Sequence, residues 1–148
     1  MTDVNDLYQE VILDHSKRPR NFHEMTDADR QAEGYNPLCG DRVKVYLKVR
    51  DDKVSDVSFK GSGCAISTAS ASIMTESLKG KTREEAEALF KAFHKLVTGK
   101  RPEEEAELGK LAVFSGVSEY PTRVKCATLA WHTLMASLKG GGETVSTE

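Results

Sequence analysis

Three cysteines carry the chemistry open to this chain, and each sits in a context that favours a thiolate. Cys39 lies in the turn-forming run Asn36-Pro37-Leu38-Cys39-Gly40-Asp41, with a carboxylate two residues beyond the sulfur. Cys64 follows Gly61-Ser62-Gly63 at the opening of a helical pattern, and Cys126 follows Arg123-Val124-Lys125 at the start of another. Helix N-termini and nearby cations lower a cysteine's pKa, and the thiolate is the form that binds metal and attacks sulfur. Three sulfurs and one carboxylate oxygen make a complete tetrahedral set for zinc. Composition alone favours a plainer alternative, three buried thiols acting as small hydrophobes. The local contexts tip the balance towards metal.

The fourth ligand is Asp41 rather than a histidine. His132 is six residues from Cys126, about 240° around a helix, and faces away from it. His15, His23 and His94 are distant in sequence from any cysteine and read as surface or capping residues. A carboxylate is a harder ligand than thiolate and exchanges more readily, so such a site looks built to open. Three thiolates and a carboxylate around a divalent ion leave net negative charge, costly to bury uncompensated. Arg123 and Lys125 are placed to offset it: taken alone, a solvated helix start explains the pair equally well, and beside three cysteines charge compensation is the better reading.

The elements that must bring these groups together follow from periodicity. A helical stripe of Leu7, Tyr8, Val11 and Ile12 covers residues 4–15, with Asp3 as a cap and Pro19 as a stop. Residues 21–34 are polar and irregular, with at most a short strand near the end. Val43, Val45, Leu47 and Val49 alternate with Arg42, Lys44, Tyr46 and Lys48, a half-buried strand. Asp51-Asp52-Lys53 turns it into a second strand carrying Val57 and Phe59, which makes an antiparallel hairpin. From Gly63 to Gly80 the pattern is helical and rich in Ala and Ser, so a neighbour can pack closely. Thr82 with Glu85 is a capping box for a helix reaching about Thr98. Pro102 opens a short acidic helix with Glu103, Glu104 and Glu105. Pro121 and Thr122 precede a last helix whose stripe is Cys126, Leu129, Ala130, Thr133 and Ser137. The order is that of an α+β domain, a small antiparallel sheet packed against a set of helices.

A chain of 148 residues fits one domain, here 1–142, with 143–148 expected as a disordered tail. The net charge of −2 gives no basic character, so nucleic acid is not an expected partner. Residues 1–12 lack the apolar stretch of a signal peptide, and no apolar run is long enough for a membrane span, so the cytoplasm is the expected location. An odd number of cysteines argues against a disulfide framework.

Taken in order, these pieces resemble the IscU/NifU/SufU iron–sulfur assembly proteins from Tyr8 to about Leu138. The matching pieces are Tyr8-Gln9-Glu10-Val11-Ile12-Leu13-Asp14-His15 with Pro19-Arg20-Asn21, Cys39-Gly40-Asp41, Gly63-Cys64-Ala65-Ile66-Ser67 and Lys125-Cys126. The SufU branch is the nearer likeness. Lys125 stands where the IscU branch has a histidine, residues 91–116 are long enough for the extra helical segment of SufU relatives, and Tyr120-Pro121-Thr122-Arg123-Val124-Lys125 replaces the chaperone-recognition Leu-Pro-Pro-Val-Lys stretch.

The resemblance implies an IscU/SufE-like fold and a zinc site at Cys39, Asp41, Cys64 and Cys126. It implies a pyridoxal-phosphate cysteine desulfurase, SufS-like, as partner, and Cys39 as acceptor of persulfide sulfur. Downstream it implies other iron–sulfur assembly proteins or apo-proteins. The chain would then be a sulfurtransferase-like partner rather than a stand-alone enzyme. The alternative is a scaffold on which iron, held by the same ligands, forms a transient [2Fe–2S] cluster. A purely structural zinc module lacks paired Cys-x-x-Cys knuckles here, and a zinc hydrolase lacks His-Glu-x-x-His. The basic edge His15, Lys17, Arg18 and Arg20, with Arg123, is a candidate docking surface.

Overall fold

The alternation around Val45 becomes the middle of a sheet. The computed structural model describes residues 4–37, 40–99, 105–139 and 144–146. Strand β1 is Arg30–Asn36, β2 Asp41–Arg50 and β3 Lys53–Ser62, all antiparallel neighbours. Asp51 and Asp52 form the β2–β3 turn with φ of 52° and 63°, the left-handed pair that a two-residue hairpin needs. Val43, Val45 and Leu47 face Gly61, Phe59 and Val57 across the ladder, and all but Gly61 lie in the core.

One side of this sheet receives the helices: α1 (Val4–Lys17), α2 (Ala65–Leu78), α3 (Arg83–Val97) and α4 (Pro121–Leu138). Helix α4 packs on β1 and β2, α2 packs on β3, and α1 packs on α2. A 3₁₀ segment, Glu105–Glu119, broken at Gly109 by φ of 53°, covers α3 and α4. The acidic helix expected at Pro102 falls outside the described residues up to 104, and the chain beyond it is 3₁₀ rather than α.

Helix α2 buries nearly its whole circumference, with Ser67, Ala69, Ser70, Ala71 and Ser72 allowing close approach on several sides. Ser70 Oγ donates to Ala127 O at 2.5 Å and so ties α2 to α4. The capping box of α3 forms as expected: Thr82 Oγ1 accepts the Glu85 N–H and Glu85 accepts the Thr82 N–H. Both Arg30 and Arg83 donate to Leu138 O, satisfying the negative end of α4.

Three expectations need correction. Pro121 is the first residue of α4, where its missing N–H costs nothing, so Pro121 and Thr122 belong to the helix they were expected to precede. Thr144–Ser146, expected within a disordered tail, form strand β4, parallel to Glu33–Tyr35 of β1, and the sheet order is β3-β2-β1-β4. Tyr46, on the polar side of the alternation, is buried together with its cross-strand partner Ser58. Residues 21–29 explain this. Phe22 bridges Phe59 on β3, and Asp29 N–H donates to Leu47 O on β2, so the segment crosses the face opposite the helices.

Candidate metal centre

Three ligand-type side chains meet at one end of the sheet, each delivered by the boundary or early turns of an element. Asp41 opens β2, Cys64 is the N-cap of α2, and Cys126 lies in the second turn of α4. One carboxylate oxygen and the two sulfurs lie within 4.8 Å of one another. Ligand atoms of a tetrahedral zinc site stand about 3.5–3.8 Å apart, so the three fit one ion after small adjustment. Cys39 and Leu38 lie outside the described residues, in the loop between Pro37 and Gly40. That loop leaves β1 at Asn36 and re-enters at Asp41, which pair directly.

Hydrogen bonds fix this arrangement before any ion is considered. Asp41 is fully buried; its Oδ1 accepts the Cys64 N–H at 2.8 Å and its Oδ2 lies 3.8 Å from Cys64 Sγ. Cys64 Sγ in turn accepts the Ser67 N–H at 3.4 Å, so the sulfur caps α2 where a serine or aspartate would normally stand. Gly63 is required beside them, because a Cβ there would fall 2.4 Å from Asp41 Oδ1. Cys126, fully buried, donates to Thr122 O at 3.6 Å and accepts the Asn36 side-chain amide at 3.7 Å.

Positive charge reaches the sulfurs from one side. Arg123 lies beside both sulfurs, and the negative charge they carry as thiolates, that of Cys64 first and then that of Cys126, holds its guanidinium above the usual arginine value. Beside Arg123 opens a groove of about 540 Å³ lined by Ile12, Ile66, Val117 and Tyr120 among others. Lys125 is half-buried and makes no hydrogen bond or ion pair through its ammonium among the described residues.

A family described as the NifU-like N terminal domain matches residues 7–127. The chain belongs to this family. It is 42% identical over 139 residues to the iron–sulfur cluster assembly scaffold protein IscU of Streptococcus pyogenes serotype M1, covering 94% of this chain and 87% of that one. It is also 42% identical over 142 residues to the zinc-dependent sulfurtransferase SufU of Bacillus subtilis, covering 94% and 96%. Among solved structures, one proposed as the iron–sulfur assembly scaffold of the SUF system in Fervidobacterium islandicum AW-1 superposes with a TM-score of 0.84 at 40% identity, covering 92% and 99%. The α+β architecture of this NifU-like domain is thus shared with its relatives. No helix among the described residues is long and apolar enough to cross a membrane.

Two expectations about the site fail, and three residues were missed. Cys126 is not at a helix N-terminus: α4 starts at Pro121, so its sulfur answers to Asn36, Thr122 and Arg123 rather than to exposed N–H groups. His15 is not a surface residue. It is 1% exposed, with Nδ1 2.7 Å from Ser72 Oγ and Nε2 3.6 Å from Glu76 Oε1. Arg20 pairs with Asp14 at 2.7 Å, which leaves Lys17, Arg18 and Arg123 as the exposed members of the expected basic edge. Asn36, Gly63 and Ser67 act on the ligands directly, and none carries a signal in its own residue type. His132 does face away from Cys126, stacking edge-on against Phe90.

Proposed function

We propose that this chain accepts sulfur from the persulfide of a pyridoxal-phosphate cysteine desulfurase during iron–sulfur cluster assembly. Its zinc ligands would be Cys39, Asp41, Cys64 and Cys126. The observation that carries the reading is the convergence of Asp41, Cys64 and Cys126, from three separated segments, within 4.8 Å beside a guanidinium. A two-sulfur, one-carboxylate cluster of this size is a donor set zinc takes readily. The likeness to a relative named as a zinc-dependent sulfurtransferase supports it further.

Zinc, when bound, would keep the sulfurs as thiolates and protect them from oxidation. The chain's own groups do the rest. The Cys39 thiolate attacks the outer sulfur of the partner's Cys–S–SH; the S–S bond breaks, the partner cysteine leaves as thiolate, and Cys39–S–SH forms. No net oxidation occurs and no further reactant is needed. Arg123 stabilises anionic sulfur through the transfer, and Asp41, anchored on the Cys64 N–H, keeps the remaining ligands in register.

Replacing Cys39 by Ala is expected to abolish stimulation of a cognate desulfurase while the circular dichroism spectrum stays native. Cysteine turnover measured with each protein decides, and full stimulation by the variant would sink the acceptor role. A single turnover with radiolabelled cysteine, followed by mapping of the labelled thiol, is expected to place the label on Cys39.

The scaffold reading, a transient [2Fe–2S] cluster on the same ligands, draws support from the likeness to a relative named as a scaffold. Lys125 before the third cysteine, in place of a histidine, favours transfer. Zinc in a purified sample does not separate the two, since thiolate-rich sites prefer zinc to ferrous iron. Iron reconstitution followed by visible absorption does: a stable cluster spectrum that passes to an apo-protein would favour the scaffold.

A further inference from the structure

Asn36 touches the candidate site twice. It is fully buried at the last pair of the β1–β2 ladder, opposite Asp41. Its backbone carbonyl accepts the Gly40 N–H at 2.8 Å, which closes the loop that carries Cys39. Its side-chain amide donates to Cys126 Sγ at 3.7 Å, across 90 residues of sequence. The same residue therefore shapes the loop of one sulfur and holds another in place.

Two of the sulfurs each receive a fixed N–H donor. Cys64 receives the Ser67 N–H, and Cys126 receives the Asn36 amide; both donors are fixed by regular structure. An N–H bonded to a thiolate is a charge-assisted contact that draws electron density from sulfur, so the sulfur becomes a poorer nucleophile and a better-oriented ligand. We propose that Asn36 is a positioning residue that pins the Cys126 thiolate as a permanent, low-reactivity ligand. This rests on the zinc-dependent acceptor reading and goes beyond it, because it names a residue outside the ligand set that holds one of the ligands. Donors of this kind are conventionally changed at a cost of about 10–100-fold in metal affinity.

The test loads the full chain and its Asn36→Ala variant with cobalt(II) in place of zinc. In the variant the d–d bands are expected to keep their tetrahedral pattern, while the sulfur-to-cobalt charge-transfer band moves to longer wavelength as Cys126 regains electron density. Cobalt loss to a chelator is expected to speed up about 10–100-fold. Faster loss with the charge-transfer band unmoved would mean that Asn36 only fills space, and would overturn the proposal. Should the variant fail to fold, nuclear magnetic resonance of the unmutated protein decides instead. An Asn36 side-chain N–H that is shifted downfield and protected from exchange is expected; a rapidly exchanging one refutes the role. Failure of the unmutated chain to take up cobalt or zinc would defeat the metal reading itself, and the same amide signal, which needs no ion, would still decide Asn36.

Discussion

Gly63 illustrates how narrowly the site is set at the scale of single residues. Its missing side chain leaves room for a buried carboxylate whose Oδ1 would lie 2.4 Å from any added Cβ. Gly63→Ala must therefore push Asp41 away from the Cys64 N–H that orients it. We expect zinc affinity to fall about 10–100-fold, against a stability cost of about 1–3 kcal/mol. Chelator competition and urea unfolding on the same preparation would show this, and equal affinity would mean that Asp41 does not contribute to binding. The cysteines and Asp41 were visible in the sequence because their residue types carry chemistry. Gly63, Ser67 and Asn36 were not, because a glycine, a backbone N–H and an amide acquire a role only from what stands beside them.

At the scale of elements, the distance between Cys64 and Cys126 is the distance between the start of α2 and the second turn of α4. Those helices approach closely through Ser70, whose hydroxyl meets Ala127 O at 2.5 Å. A leucine there has no space and no hydroxyl. Ser70→Leu should cost about 1–3 kcal/mol by overpacking and prise the two sulfurs apart. Metal retention is expected to fall by more than the loss of stability alone explains, with helical content near native. A variant that binds zinc as tightly as the parent would mean the helices can slide without moving the site. The alanine and serine content of α2 announced a close neighbour, and the strict alternation of β2 announced a half-buried strand. The polar composition of β1, Arg-Gln-Ala-Glu-Gly-Tyr-Asn, announced no interior strand. Its Gly34 is there because Thr133 Oγ1 of α4 would lie 2.0 Å from a Cβ, a packing demand invisible to strand propensity.

Across the whole molecule, α1 is fastened to the core through His15. Burial above all, then the charge of Arg20 and that of Lys110, holds its imidazole pKa below the usual value, against the opposing charges of Glu76 and Asp14. His132 shifts the same way, by burial and by His94. With a folded pKa below the unfolded one, the unfolded chain binds more protons, so stability is full at alkaline pH and falls as pH drops below about 6.5. Urea midpoints are expected to decline from pH 8 to pH 5.5, and His15→Asn should flatten that decline while His132 retains its share. An unchanged slope in the variant would show that His15 titrates alike in both states.

The sequence by itself determined the α+β class, the hairpin, the capped helix α3 and which atoms can bind a soft metal, since periodicity and side-chain chemistry are local properties. Folding alone decided that Asp41, Cys64 and Cys126 converge, that an asparagine holds one of the sulfurs, and that His15 is interior. Those facts depend on contacts between segments 23 to 90 residues apart, and a contact between distant segments is fixed by the packing of everything between them.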